Sequence, residues 1–173
     1  FFNVDIMLNK RSKLINMKFK WLNLLTNKLW QVKFNLSKPI NEVHSEDMNL
    51  LIMRKFDSGY DIRENLPTKK GIEVKTNTAP MQRFVWTQGC GFITSGLTEY
   101  EVKQNSLHIT LLRSTGVISN PKNPARTTPA GPPIETPALQ QLGENSAKIS
   151  FGFFPVKDWA NYVEEIYPQT ILF

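Results

Sequence analysis

Apolar and polar residues alternate with a period of two along most of this chain. In "MKFKW", Met17, Phe19 and Trp21 point to one side, and the lysines between them point to the other. In "WQVKFNL" (30–36) the aromatic and aliphatic residues again share one face. Because successive side chains of a strand point to opposite faces, this pattern predicts strands with one buried face. The linker "TNK" (26–28) makes the two segments a candidate hairpin.

Alternation continues toward the C-terminus, and two pairs of strands are joined by short turns. Further strands are predicted at 49–56, 83–87, 91–94, 99–102, 107–114 and 148–154. One helix is predicted, at 158–166, with Asp158 as its cap and with Trp159, Val163 and Ile166 on one face. Many strands beside one short helix predict an all-β fold, an antiparallel β-sandwich. We expect residues 1–173 to form a single domain.

The net charge of +6 is concentrated at the N-terminal end. Residues 1–40 carry eight lysines and arginines but only one acid, Asp5. Basic segments bind nucleic acids or anionic membranes in other proteins. Here the lysines alternate with apolar residues, as they do on the solvent face of a sheet. We therefore expect neither a nucleic-acid partner nor a membrane partner, and nucleic-acid binding is the weakest of the functions considered.

Residue types that carry catalysis or bind metals are sparse. One cysteine, Cys90, excludes an internal disulfide, and the two histidines, His44 and His108, lie far apart, so no metal site is predicted. Glu99 and Glu101 lie on one strand face, about 7 Å apart, which is within the range of a glycosidase pair. We interpret them instead as the solvated face of a strand, and we predict no catalytic residue. The chain shows no apolar run of about 18 residues and no signal peptide, so a cytoplasmic location is expected.

Two residues are candidates for binding. The segment 120–137 contains six prolines and is long for a simple turn. Arg126 lies in its middle, and a loop stiffened by proline can present a guanidinium group to a ligand at lower entropic cost. The alternative for Arg126 is an ordinary solvated arginine. Trp86, in "RFVWTQG" beside a turn, is the tryptophan best placed to stack on a sugar ring, and the alternative there is a core position.

Three segments carry a family resemblance: "GLTEYEV", "LHITLLRSTGVIS" and "AGPPIETPALQQLGENSAKISFGFFP". In this order they resemble the C-terminal β region of glycoside hydrolase family 38, the α-mannosidases, and most of all its bacterial branch that includes mannosylglycerate hydrolases. Thr98 stands where proline is usual, and Ala138 and Leu139 replace the usual Glu-Ala. The resemblance is specific over about 79–155 and weaker over 13–57.

The resemblance implies that the sandwich is part of a galactose-mutarotase-like super-sandwich at the C-terminal end of a larger glycosidase. In this family a catalytic aspartate and the zinc ligands belong to an N-terminal α/β-barrel. We expect this chain to lack that barrel, since it starts without methionine and within a strand pattern. Zinc is then expected in the catalytic domain, with no cofactor in this chain. The family also places a loop arginine near the sugar, and that arginine corresponds to Arg126.

The leading hypothesis is a non-catalytic C-terminal β domain of a bacterial α-mannosidase-like enzyme, inactive alone. It would pack on the catalytic domain of the same polypeptide and help to complete the site for a mannoside or for mannosylglycerate. Self-association into a homo-oligomer is left open. The alternative, from another functional class, is a freestanding carbohydrate-binding module that uses Trp86.

Overall fold

The computed structural model of the chain describes residues 1–10, 12–66, 74–126 and 128–154. Strands dominate this part of the chain. In chain order they are β1 Phe2–Leu8, β2 Leu14–Asn23, β3 Leu29–Asn35, β4 Glu42–Asp47, β5 Leu50–Lys55, β6 Thr78–Pro80, β7 Phe84–Thr87, β8 Cys90–Thr94, β9 Glu99–Lys103, β10 Ser106–Arg113, β11 Val117–Ile118, β12 Ile134–Glu135 and β13 Gly143–Phe153. Two single 3-10 turns, Ile62–Glu64 and Pro137–Gln140, are the helical elements of the described part. The all-β prediction is confirmed, and the helix predicted at 158–166 lies outside the described residues.

The strands form two main sheets in which each described pair is antiparallel. The large sheet has seven strands in the order β1-β2-β13-β8-β7-β4-β5, and the small sheet has four in the order β3-β10-β9-β6. Strands β11 and β12 form a separate two-stranded ribbon. The order shows that neighbours in space are often distant in sequence, because β13 lies between β2 and β8.

One hydrophobic core joins the two main sheets. The large sheet contributes Phe19, Trp21 and Phe92, and the small sheet contributes Tyr100 and Ile109. Aromatic rings meet across the gap, for example those of Phe34 and Phe92, whose centroids are 4.6 Å apart. The inward rows read from the alternation, 17-19-21 on β2 and 30-32-34 on β3, are confirmed by this packing. Burying such rows is the main force that holds two sheets together.

The hairpin predicted around 26–28 is wrong. Strand β2 pairs with β1 on one side and with β13 on the other, so it has no free edge for β3. Strand β3 pairs with β10 in the small sheet instead. The stretch between them therefore carries the chain from one sheet to the other, and Trp21 and Trp30 stack across the core with centroids 6.5 Å apart. The alternating pattern identifies the buried face of a strand but leaves its neighbour undetermined.

The two hairpins expected from short turns are confirmed. Strands β7 and β8 are joined at Gln88 and Gly89, whose φ angles of 51° and 78° are those of a tight turn that matches the twist of the strands. Strands β9 and β10 pair directly from Lys103 and Ser106 onward. These local connections need no partner from elsewhere in the chain, which explains why the sequence pattern is sufficient to find them.

A second, smaller hydrophobic cluster lies on the opposite face of the large sheet. It contains Leu14, Phe84, Ile93 and Phe154, with Leu51 and Trp86 packed against it. Ile93 is fully buried and Phe84 is nearly so. The large sheet is therefore apolar on both faces near β7 and β8. This cluster matters for function because it sets the environment of Trp86.

Candidate functional site

The proline-rich segment is a loop closed at its base. Val117 and Ile118 of β11 pair with Glu135 and Ile134 of β12, so the residues between these strands leave and return at one point. Thr136 N donates to Gly116 O over 2.9 Å and fastens the same point. The proline-rich segment that is too long for a simple turn is thus a loop that starts and ends at the β11–β12 ribbon.

An amide network locks the base of the loop to the rest of the protein. Asn27 N donates to Gln140 Oε1 at 2.7 Å, and Asn27 Oδ1 accepts from Gly116 N at 2.8 Å and from Gln140 Nε2 at 3.0 Å. Asn23 Nδ2 donates to Gln140 O at 3.0 Å. A Cβ at Gly116 would lie 2.5 Å from Gln140 Nε2, so a larger residue there would displace the Gln140 amide from its bonds to Asn27. The loop therefore rises from a base fastened by these bonds, and Pro137 opens the 3-10 turn that carries Gln140 there.

Arg126 lies within this loop, at the end of a pair of local turns. Asn120 Oδ1 accepts from Lys122 N at 2.9 Å and Asn123 Oδ1 accepts from Ala125 N at 3.0 Å, which are typical turn-forming bonds of asparagine. Arg126 N then donates to Asn123 O at 3.2 Å. Arg126 is half-buried. Its role in substrate binding stays a prediction.

Trp86 lies on a different element, β7, and belongs to the second hydrophobic cluster. Its indole Nε1 donates to Phe154 O at 3.4 Å, and its ring meets the His44 ring edge-on with centroids 5.3 Å apart. The indole is half-buried. The ring thus packs on a cluster and still reaches the surface. Its proposed stacking on a sugar remains untested.

The structure adds His44 to the neighbourhood of Trp86, and sequence reasoning missed it as a binding residue. The two residues are opposite each other in the β4–β7 register. His44 Nε2 lies 3.6 Å from Glu42 Oε1, while Nδ1 is buried and has no hydrogen-bond partner within the part of the chain that the structure describes. The signal available in the sequence was the outward position of His44 on its strand, but its register with β7 was not predictable. Indole, imidazole and carboxylate together form a patch that could stack on a ligand and hydrogen-bond to it.

The two strand carboxylates, Glu99 and Glu101, are engaged in structural contacts. Glu99 accepts from Arg113 at 2.7 Å and from Thr110 Oγ1 at 2.7 Å. Glu101 accepts from Gln31 Nε2 at 3.1 Å and lies 3.0 Å from Lys103 Nζ. Each carboxylate thus balances a cation on the outer face of the small sheet. This arrangement agrees with the interpretation of a polar sheet face and offers no free acid and base.

Metal-binding groups do not converge in the described ranges, where no cluster of three or more His, Cys, Asp or Glu side chains could hold an ion. His108 Nε2 is 2.9 Å from Ser106 Oγ, and burial lowers the pKa of His108 below its ordinary value. Burial also raises the pKa of the Cys90 thiol. His108 and Cys90 are therefore not part of a metal-binding cluster among the described residues. No helix among the described residues is long and apolar enough to cross a membrane.

Comparisons with known proteins find similarity in structure only. No protein-family model and no curated protein matches the sequence. An α-mannosidase from Enterococcus faecalis V583 aligns over 98% of this chain and 18% of its own, with a TM-score of 0.69 and 20% identity. A protein of glycosyl hydrolase family 38 from Enterococcus faecalis aligns over 98% of this chain and 18% of its own, with a TM-score of 0.71 and 19% identity. The fold is thus that of one portion of these glycosidase structures, and the chain spans only a small share of their length.

Proposed function

We propose that this chain is a non-catalytic β domain of a larger bacterial glycosidase of the family 38 type, whose sugar site it helps to complete. The observation that carries the proposal is the fold similarity over 98% of this chain, set against 18% of the matched α-mannosidase. Nearly all of this chain aligns, but it aligns with only a small part of the matched protein. This is what we expect of a module within a longer polypeptide. Its partner would be the catalytic domain of the same polypeptide, and its substrate an α-mannoside or mannosylglycerate.

The residues of the chain support a non-catalytic role. Glu99 and Glu101 balance neighbouring cations. A retaining glycosidase needs a nucleophile and an acid on either side of one bond, and the one carboxylate pair singled out in this chain, Glu99 and Glu101, is held by these cations. Zinc chemistry would accordingly belong to the catalytic domain, because the described residues hold no suitable cluster. A cytoplasmic location is part of the same proposal.

Arg126 is the residue we assign to the substrate. Its loop is fixed at the base by Asn27, Gly116 and Gln140, so it can hold a guanidinium group at a defined position. A guanidinium fork binds two hydroxyl oxygens of a sugar, or the carboxylate of a glycerate aglycone, and so orients the ring for attack. Orientation of this kind raises the rate without any bond-making by the arginine itself.

The test is the substitution Arg126→Ala in the full-length enzyme. Loss of a charge-assisted hydrogen bond of about 1.5–3 kcal/mol should lower kcat/KM on an aryl α-mannoside by about ten- to a hundredfold. Lys122→Ala, in the same loop but at an exposed position, is the matched control and should leave kcat/KM unchanged. A change of less than twofold for Arg126→Ala at equal Tm would remove Arg126 from the site.

The second candidate function is a carbohydrate-binding module, favoured by the patch of Trp86, His44 and Glu42. Aromatic rings at protein surfaces bind sugars by stacking. The two functions differ in what the isolated chain does. A module should bind mannosides alone, with binding lost in Trp86→Ala and kept in Arg126→Ala, as isothermal titration calorimetry would measure. A domain that only completes a site should show no such binding.

A further inference from the structure

Strand β1 is one edge of the large sheet, and every second residue along it exposes its backbone N–H and C=O groups. Leu22 N donates to Phe1 O at 3.2 Å, which makes Phe1 and Leu22 a hydrogen-bonded pair. In an antiparallel ladder such pairs alternate with non-bonded ones. The even-numbered residues of β1, from Phe2 to Leu8, therefore direct their N–H and C=O groups away from β2. They present the donors and acceptors that another strand requires.

The side chains of the same residues form an apolar row that becomes more exposed to solvent along the strand. In the register of β1 with β2, Val4 lies opposite Phe19 and Ile6 opposite Met17, on the side facing the core. Phe2 is held, since its ring stacks on Trp30 with centroids 6.2 Å apart. Beyond it the exposed fraction rises from 37% at Val4 to 68% at Ile6 and 72% at Leu8. The row extends past the small sheet rather than ending with it.

The other three edges of the two main sheets carry features that discourage strand addition. Strand β6 has three residues and ends in Pro80. Strand β5 carries Arg54 and Lys55, and strand β3 carries the exposed Lys33. Short length, proline and basic residues are the usual protection of exposed edges. Strand β1 has seven residues, "FNVDIML", with no lysine, arginine or proline. It is the least protected of the four edges.

From this contrast we infer that β1 is the edge to which a strand from the rest of the larger polypeptide adds, extending the large sheet and covering Val4, Ile6 and Leu8. The inference rests on the proposed function and names the surface that meets the remainder of the enzyme. Strand addition supplies main-chain hydrogen bonds, and alternate side chains give it specificity. The added strand would carry apolar residues on the core side.

Charge on the outer face distinguishes this partner from a second copy of the chain. In the β1–β2 register Asp5, the only charged residue on β1, lies opposite Lys18, which in turn lies opposite Lys148 on β13. An added strand lies beside β1, so its nearest outer-face charge is Asp5, and like charges directly opposite each other are unfavourable. The β1 strand of a second copy offers Asp5 again and no basic residue, whereas a strand with a lysine or arginine opposite Asp5 would form a favourable pair. We therefore expect a basic side chain on the outer face of the added strand.

Hydrogen–deuterium exchange measured by mass spectrometry tests the inference. The peptide spanning residues 2–8 should exchange at least tenfold more slowly in the full-length enzyme than in the isolated chain. The peptide spanning β5, also an edge, should exchange at the same rate in both and is the internal control. Equal exchange of 2–8 in the two proteins would overturn the inference. Protection of 2–8 that appears in the isolated chain as its concentration rises would overturn it too, and would point to self-pairing.

Ile6→Lys provides a variant with a matched control, Met53→Lys, since both residues are exposed and lie on edge strands. Ile6→Lys should lower the Tm of the full-length enzyme and leave that of the isolated chain unchanged, while Met53→Lys should change neither. Activity separates the two proposals. A full-length enzyme active on an aryl α-mannoside with unprotected β1 refutes only the docking edge. Protection of β1 in a protein without glycosidase activity refutes only the function. A gene product no longer than this chain refutes both.

Discussion

The two lateral sides of the sandwich are built differently. On the side of β5 and β6 the sheets are tied together, because Arg54 Nη1 and Ser45 Oγ of the large sheet both donate to Pro80 O on β6, at 3.5 Å and 3.4 Å. Within the large sheet Arg54 also pairs with Asp47 at 2.5 Å. The Phe56 and Tyr100 rings close the gap beside them, with centroids 5.9 Å apart. On the side of β1 and β3 the ring of Phe2 stacks on Trp30, and Ile6 and Leu8 are exposed. We refer to these as the closed side and the open side.

The two sides differ in whether they are closed to a further strand. At the closed side an arginine points inward and is neutralised, which satisfies its charge and blocks further strands. At the open side the apolar row has no such ending. A single chain that finishes one side and leaves the other bare is typical of a module whose second side is covered by a neighbour. Stability should therefore depend far more on the closed side when the chain is alone.

The largest effect is expected from Tyr100→Ala, on the closed side. Tyr100 is fully buried, and the substitution leaves a large cavity next to Phe56. Removing a buried aromatic side chain lowers the free energy of unfolding by about 3–5 kcal/mol. Urea denaturation of the isolated chain, followed by tryptophan fluorescence, measures this loss. A loss below 1 kcal/mol would show that the closed side does not hold the sheets together.

A smaller loss is expected from Asp47→Ala. The side chains of Arg54 and Asp47 are each only 22% exposed, so the substitution leaves a mostly buried guanidinium without its carboxylate. Leaving one charged partner unsatisfied costs about 1–3 kcal/mol. The double variant Asp47→Ala with Arg54→Met should recover part of the loss, since no charge is left unpaired. If Arg54→Met lowers the free energy of unfolding by the same amount in the Asp47→Ala variant as in the wild-type chain, the two residues are not coupled.

On the open side, Phe2→Ala should cost about 1 kcal/mol. The ring is 49% exposed but stacks on Trp30, so part of its area and one aromatic contact are lost. The measurement is the same urea titration, compared directly with Tyr100→Ala. A cost equal to that of Tyr100→Ala would abolish the distinction between the two sides.

The smallest effect concerns pH and the outer face of the small sheet. Burial lowers the pKa of His108, helped by the charges of Lys103 and Lys33 and opposed by Glu101. The unfolded chain then takes up a proton before the folded one does. Stability from this group is thus complete above the ordinary histidine pKa of about 6.5 and is lost as pH falls through the lower folded pKa. His108→Gln should flatten the dependence of Tm on pH below 6.5, and an unchanged slope would assign it to other groups.

Local pattern was sufficient to predict some parts of this fold. Alternation identified the buried rows of β2 and β3, and short turns identified the β7–β8 and β9–β10 hairpins. It failed at 26–28, where a turn-like sequence crosses between sheets. The reason is physical, because the face a strand buries depends on its own residues, while its neighbour depends on the packing of the whole chain.

The candidate site was predictable to a similar extent. The prolines around Arg126 predicted a loop, and the structure confirms that the chain turns there. The lock formed by Asn27, Gly116 and Gln140 was not visible, because Asn27 and Gln140 lie 113 residues apart. The pairing of His44 with Trp86 was hidden for the same reason. Residue types suggested chemistry, but their long-range neighbours required the folded chain.

The position of β13 has a consequence for how the protein is made. This strand is the last of the described part, yet it lies in the middle of the large sheet, between β2 and β8. Nearby, Asn23 bonds to Gln140 across 117 residues of chain. During synthesis the edge of β2 that pairs with β13 therefore stays unpaired until residues 143–153 have emerged from the ribosome. Folding that depends on such distant pairings is slow and prone to aggregation, so the nascent chain should need chaperone protection until β13 arrives.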